Sequence, residues 1–276
     1  MTNKIPLAGV IGAPIAHSKS PDLHNYWLKR YGIKGHYVPL HIEQGDLEGV
    51  LRALPKMGFV GANVTIPHKE RVLALADIVT DRAALIGAAN TLIFRSDGKL
   101  HADNTDGFGF IENLRANADW NPEVGPAAVF GAGGAARAVI ASLLEVGVPE
   151  IRLANRTRTR ADALKEEFGT KINVVEWVQA GYMLEGARTV VNTTSLGMVG
   201  KTEFKVPLDG LEKDAVVTDL VYTPLRTALL KAAEKKGCQT VDGLGMLLYQ
   251  AVPGFERWYG LRPEVDDATR NFVLSR

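Results

Sequence analysis

Cysteine is almost missing from this chain of 276 residues: Cys238 stands alone, so no disulfide can form within one molecule. That fits a reducing compartment, and a cytoplasmic location is the expectation. Net charge is nearly absent too, at +1, which leaves no broad basic surface for nucleic acid or acidic lipid. No apolar run is long enough to span a membrane. The apolar stretch from Ile5 to Ala16 is broken by Pro6, Gly9, Gly12 and Pro14 and has no cleavage-like end. A strand and turn is expected there rather than a signal peptide. The six histidines lack metal-ligand spacing, and with one cysteine no structural zinc site is expected. Low-complexity segments and fixed-period repeats are also absent. What remains is a chain with 46% hydrophobic residues, enough for substantial cores. Its partner is expected to be a small molecule whose charge is met by local groups.

The strongest positive signal lies between residues 127 and 160. The apolar run Ala127-Ala128-Val129-Phe130 leads into Gly131-Ala132-Gly133-Gly134-Ala135-Ala136, and a helical pattern follows at once. Strand, glycine turn and helix in that order form the dinucleotide-binding unit of doubly wound folds. Gly131 permits the tight turn, Gly133 lets the backbone approach a pyrophosphate, and small Ala136 lets the helix lie close to the strand. The helix N-terminus offers free N–H groups to the anion. On its own such a turn also fits S-adenosylmethionine or flavin. The next strand, Ile151 to Ala154, decides further. An NAD site usually follows it with Asp or Glu, but here Asn155 is followed by Arg156, Arg158 and Arg160. Arginines bind a 2′-phosphate that a carboxylate would repel, so NADP is expected over NAD.

Strand and helix patterns alternate along the whole chain, which implies mainly parallel sheets and an α/β fold. Strands are expected at Leu7–Ile11, His36–Leu40 and Phe59–Val64. Helices are expected from Ser20, as N-cap, to near Gly32, over about Asp46 to Met57, and from near Pro67. Thr91–Arg95 and Lys99–Ala102 read as a hairpin around Ser96-Asp97-Gly98. A helix around Asp106 to Ala116 precedes the loop Asn117–Pro126, a natural boundary. Later strands are expected at Thr189–Val191, Val216–Leu220 and Gln239–Val241, with two helices in the tail. The expected division is a substrate domain of residues 1–105 plus 244–276 and a Rossmann-type nucleotide domain of residues 106–243, the C-terminal helices returning to the first.

A hydride-transfer enzyme needs a proton donor at the substrate oxygen, because the cofactor supplies only the hydride. Lys69, just past an apolar strand, and Asp106, after another strand at a helix start, are the candidates. Read singly, they are a surface lysine and an ordinary helix cap. Ser18 and Ser20 at a helix N-terminus make a small anion site suited to a carboxylate. Asn63, Thr65 and Asn90 near strand ends could bind the hydroxyls of a polyol.

Taken together these segments resemble the shikimate dehydrogenase family nearly from end to end. The resemblance rests on Gly12 to Pro21, Asn63 to Lys69, Gly87 to Thr91, Asn104-Thr105-Asp106-Gly107 and the glycine turn. It continues through Asn155-Arg156-Thr157, Asn192 to Met198, and Asp242 to Met246 with Gln250. It implies reversible NADPH-dependent reduction of 3-dehydroshikimate to shikimate, in aromatic amino-acid biosynthesis. By this similarity Lys69 and Asp106 form the catalytic pair, and Ser18 and Ser20 hold the carboxylate. Thr65, Asn90, Asp106, Tyr222 and Gln250 contact the ring or its hydroxyls, with Asn63 close by. Gly131, Ala132, Gly133, Gly134 and Ala135 cradle the pyrophosphate. Asn155, Arg156, Thr157 and Arg160 surround the 2′-phosphate, Leu220 and Gly243 lie near the nicotinamide, and Asp81 also contacts the cofactor. Relatives that use quinate with NAD share this framework but tend to carry an acidic residue where Asn155 stands. A non-catalytic NADP-binding regulatory module is the remaining alternative. The oligomeric state is not legible, a homodimer being one option.

Overall fold

The structure is a computed structural model that describes residues 5–276. The chain forms two compact units, one running to Thr105 and taking in Leu248–Arg276, the other Asp106–Leu247.

In the first unit the chain runs β1 (Leu7–Gly12), α1 (Ser20–Arg30), β2 (His36–His41), α2 (Leu47–Ala53), β3 (Phe59–Val64), α3 (Arg71–Leu75), β4 (Ile78–Val79), α4 (Asp81–Ile86), β5 (Thr91–Phe94) and β6 (Leu100–Asp103). The sheet order is β2-β1-β3-β5-β6-β4. β1 lies parallel to β2 and β3, whereas β5 runs antiparallel to both β3 and β6. The sheet is mainly parallel as expected, β4 pairing parallel with β6, and departs from that only at β5. The cause is the short β5–β6 connection: a tight turn can join only antiparallel neighbours. Gly98 takes a left-handed φ of 84° there, and the Asp97 carboxylate accepts the Lys99 N–H at 3.1 Å.

Three helix starts or extents also differ from expectation. Ser20 is the first helical residue of α1, not its cap; Lys19 precedes it and makes no side-chain capping bond. The helix expected from Pro67 begins at Arg71, because Thr65 carbonyl accepts the His68 N–H and closes a separate turn first. The stretch after Asp46 is α-helical only to Ala53, then tightens into a 3₁₀ turn, Leu54–Met57, that ends at left-handed Gly58.

The second unit runs α5 (Asp106–Asn117), β7 (Ala127–Phe130), α6 (Gly134–Glu145), β8 (Ile151–Ala154), α7 (Arg158–Phe168), β9 (Ile172–Val175), β10 (Thr189–Asn192), β11 (Val216–Asp219), α8 (Ala228–Lys235) and β12 (Gln239–Val241). Every pairing is parallel, in the order β12-β11-β10-β7-β8-β9. This is the doubly wound arrangement, with the switch point between β7 and β10. β7 and β10 are fully buried, as strands covered on both faces must be. Ala127 and Val129 join one apolar cluster while Ala128 and Phe130 join the other, the alternation a pleated strand imposes. α7, β9 and α8 were not anticipated from pattern.

Two helices close the chain, α9 (Gly243–Tyr259) and α10 (Asp267–Leu274). From Leu248 onward this segment is part of the first unit. Trp258 donates from Nε1 to Leu92 carbonyl at 2.9 Å, and Arg30 pairs with Asp266 at 2.7 Å. Trp258 lies directly over Gly61: a Cβ there would sit 1.9 Å from Trp258 Nε1 and 2.3 Å from Leu92 carbonyl. Gly61→Ala should therefore destabilise the first unit by about 2–3 kcal/mol or more, as overpacking does. Thermal denaturation within a degree or two of the parent would contradict this packing.

Candidate active site

One edge of the first sheet collects the polar residues. The carboxyl ends of β1, β3 and β6 lie there with the amino end of antiparallel β5, since Asn63 pairs with Thr91 and Thr91 with Asp103. Ser18 and Ser20 follow β1, Thr65 and Lys69 follow β3, Asn90 precedes β5, and Thr105 follows β6. Thr65 packs against β1: a Cβ on Gly12 would meet its methyl at 2.6 Å. Lys69 is half-buried, and its carbonyl accepts from Ala89 N–H at 2.8 Å, tying the lysine turn to the segment before Asn90.

Asn90 organises this edge. It is 3% exposed. Its Oδ1 accepts from Thr105 N–H at 2.8 Å and lies within 3.1 Å of the hydroxyls of Thr91 and Thr105. Its Nδ2 donates to Gln250 Oε1 at 3.2 Å. Thr105 in turn donates from Oγ1 to Gln250 carbonyl at 2.9 Å. The candidates Asn90 and Gln250 are thus in direct contact. Asn63 is braced beside them: Oδ1 accepts from the Tyr37 hydroxyl at 2.7 Å, and Nδ2 donates to Asn90 carbonyl and Thr91 Oγ1. Both Asn63 amide hydrogens are engaged inward, so it supports Asn90 more than it faces a ligand.

Tyr37 was not foreseen. It is fully buried, engages the Ser20 hydroxyl, and burial pushes its phenol well above the usual range. His24 stacks on it, ring centroids 4.0 Å apart and 3° from parallel. Neither His24 ring nitrogen has a hydrogen-bond partner among the described residues. Ser18 Oγ accepts from Ser20 N–H at 3.3 Å. Below the end of β6, buried Asp103 accepts from Thr80, Arg82 and Arg257 and from Asn104 N–H, fixing the chain just before Asp106. Asp81 opens α4, exposed, next to Thr80.

In the second unit, β7, β8, β10, β11 and β12 all end at one edge. Gly131 has φ 109°, and a Cβ on it would sit 2.5 Å from Thr193 Oγ1. Gly133 and Gly134 face open space, and α6 starts there with no side-chain cap. Ala136 is fully buried. A pyrophosphate fits this cradle: the backbone is bare and the helix N–H groups are unclaimed by side chains. Asn155 holds the turn in place, accepting Ala132 N–H at 3.2 Å and donating to Thr157 carbonyl at 2.8 Å. Of the three arginines beyond it, Arg158 is bound to Glu176 and Asp162. Arg156 and Arg160 are exposed and make no side-chain hydrogen bond or ion pair among the described residues. Two guanidinium groups and Thr157 are therefore available to a phosphate next to the glycine turn.

On the other side of the switch point, Leu220 donates its N–H to Asn192 carbonyl. Gly243 fits only because it lacks a side chain: a Cβ would meet Leu220 carbonyl at 2.4 Å. Leu220 and Gly243 are thus brought together. Tyr222, two residues on, is half-buried, and burial raises its phenol. Asp219, which precedes Leu220, is fully buried; burial lifts its carboxyl to about 6 against the pull of three hydrogen-bond donors.

Comparison with known proteins fits this geometry. Residues 10–92 match the shikimate dehydrogenase substrate binding domain, and residues 122–205 match the family described as shikimate / quinate 5-dehydrogenase. A shikimate dehydrogenase (NADP(+)) of Cereibacter sphaeroides is 73% identical over 273 residues, 99% of this chain and 98% of its own. The chain belongs to the shikimate dehydrogenase family. Among solved structures of the family, the Thermus thermophilus shikimate 5-dehydrogenase in complex with NADP(H) and shikimate is 36% identical. It has a TM-score of 0.87 and coverage of 98% of this chain and 99% of that one. A Corynebacterium glutamicum quinate dehydrogenase in complex with NAD is also similar, at 32% identity and TM-score 0.92 over 99% and 100%.

The stacked His24–Tyr37 pair gives this shikimate dehydrogenase fold an acid liability. Burial pushes His24 down to about 3, below its unfolded value near 6.5. A histidine depressed in this way contributes stability that is complete above its unfolded value and is lost as pH falls from there toward the folded one. Between pH 7 and pH 5 this one group should remove about 2 kcal/mol. His24→Phe, which keeps the stacked ring, should flatten that part of the stability profile in denaturant titrations. An unchanged acid slope would show that His24 is not the group responsible.

Proposed function

We propose that the chain catalyses the reversible NADPH-dependent reduction of 3-dehydroshikimate to shikimate, a step of aromatic amino-acid and chorismate biosynthesis. One observation carries this reading. A chain of this family presents two unpaired guanidinium groups, Arg156 and Arg160, beside an uncapped glycine turn and Asn155. The first unit holds the keto acid and the second the cofactor, whose chemistry when bound is to supply the hydride.

Ser18 and Ser20 receive the substrate carboxylate. Thr65, Asn90, Tyr222 and Gln250 meet the ring and its hydroxyls, with Asn63 holding Asn90 in place. Lys69 donates the proton to the ketone oxygen as its carbon gains hydride, and takes a proton back in the reverse direction. Asp106 bonds the substrate and orients Lys69. Gly131 to Ala135 cradle the pyrophosphate, and Asn155, Arg156, Thr157 and Arg160 surround the 2′-phosphate. Leu220 and Gly243 line the nicotinamide site, and Asp81 is assigned to the cofactor on resemblance alone. A cytoplasmic setting accords with buried, unpaired Cys238, and no helix among the described residues is long and apolar enough to cross a membrane.

Lys69→Ala should lower kcat by at least ~100-fold with little change in KM, the signature of a group acting in the transition state. Near-normal turnover in steady-state kinetics would remove Lys69 from the acid–base role. Arg156→Ala combined with Arg160→Ala should raise KM for NADP by about 10–100-fold while changing KM for NAD by less than about threefold. Equal losses for the two cofactors would refute the 2′-phosphate assignment.

A further inference from the structure

Among the described residues of the second unit, Asp219 is the only buried acidic side chain. No basic residue pairs with it. Its Oδ1 accepts from Asn192 Nδ2 at 2.9 Å and Val221 N–H at 3.0 Å, and its Oδ2 from Thr227 Oγ1 at 2.8 Å. Burial and these three neutral donors account for its environment; no charged side chain contributes.

A purely structural role would not need the charge. An asparagine in this place would still accept from Asn192 and Val221 through its Oδ1, and it would avoid burying an ion without a counter-ion. The position of the carboxylate supplies a reason to keep it. Asp219 ends β11 and is followed at once by Leu220, whose carbonyl closes on Gly243 at the nicotinamide site. Asn192, which donates to Asp219, also receives Thr194 N–H and Oγ1, and Thr193 bonds Phe130 carbonyl beneath the glycine turn. The segment Asn192-Thr193-Thr194 thus touches the carboxylate at Asn192 and the strand beneath the glycine turn at Thr193.

We propose that Asp219 biases the cofactor site toward the oxidised ring, stabilising the positive charge the nicotinamide acquires as it gives up its hydride. The hydride, with its electron pair, passes to the carbonyl carbon, and the proton reaches the oxygen from Lys69. Asp219 neither gives nor takes an atom. This inference rests on the NADP reading above. At an effective dielectric near 20, a unit charge acting over roughly 12 Å changes relative affinity about tenfold, and a shorter separation more.

The test is equilibrium binding without substrate at pH 8, titrating NADP+ and NADPH separately into parent protein and Asp219→Asn. The ratio Kd(NADP+)/Kd(NADPH) should rise about 5–10-fold in the variant. A ratio within about twofold of the parent would overturn the proposal. A second measurement needs no variant that folds. In parent protein carrying ¹³C-labelled aspartate carboxyls, reciprocity requires Asp219 to titrate at lower pH in the NADP+ complex than in the NADPH complex. Identical titration in the two complexes would overturn it as well. Binding of both forms with an unshifted ratio sinks this inference alone, whereas failure of the parent to bind either form sinks the functional reading with it.

Discussion

The side-chain amide of Asn90 sits where four separate stretches of the first unit meet. Its oxygen faces Thr91 and Thr105, its nitrogen faces Gln250, and its carbonyl receives both Val64 N–H and Asn63 Nδ2. A buried amide is costly unless its polar atoms are met. The geometry around it is therefore tightly specified: β3, the start of β5, the end of β6 and α9 must all arrive in register. The same constraint fixes Thr105, and with it the start of the next segment at Asp106. A fully satisfied polar network of this kind specifies one arrangement more sharply than an apolar contact could.

The second unit depends on the opposite device, backbone left bare. Gly131, Gly133 and Gly134 carry no side chain where the turn meets α6, and Gly243 none where it meets Leu220. Asn155 does two jobs there with one amide. It ties the turn to the following strand, and it leaves no carboxylate where a phosphate would bind. Arg158 is neutralised by its own acidic neighbours, which divides the basic run into one structural and two available arginines.

Much of this could be read in the sequence because the signals were local. The β7 strand, glycine turn and α6 occupy one continuous stretch, and β3, β8 and β12 have the bounds expected of them. The available pair Arg156 and Arg160 also lies within a few residues of Asn155. What escaped was set by distance along the chain. Tyr37 looked like an ordinary strand aromatic until β2 was placed beside β1, bringing its hydroxyl to Asn63 and Ser20. Thr105 was seen only as a motif neighbour of Asp106, because its partner Gln250 comes from the far end of the chain. Asp219 fell inside the expected strand Val216–Leu220 with no signal of its own, since its burial depends on Thr227 and Asn192 folding over it. The helix expected from Pro67 starts at Arg71 because a backbone turn, which composition does not reveal, closes first between Thr65 and His68.

The account is tested most directly by following the absorbance of the reduced cofactor in a grid of substrates and coenzymes. Purified protein would be mixed with NADPH or NADH and with 3-dehydroshikimate or 3-dehydroquinate. Rapid loss of the reduced coenzyme is predicted with NADPH and 3-dehydroshikimate, with the other three combinations far slower. No loss with that pair, or equal rates with NADH, would contradict it.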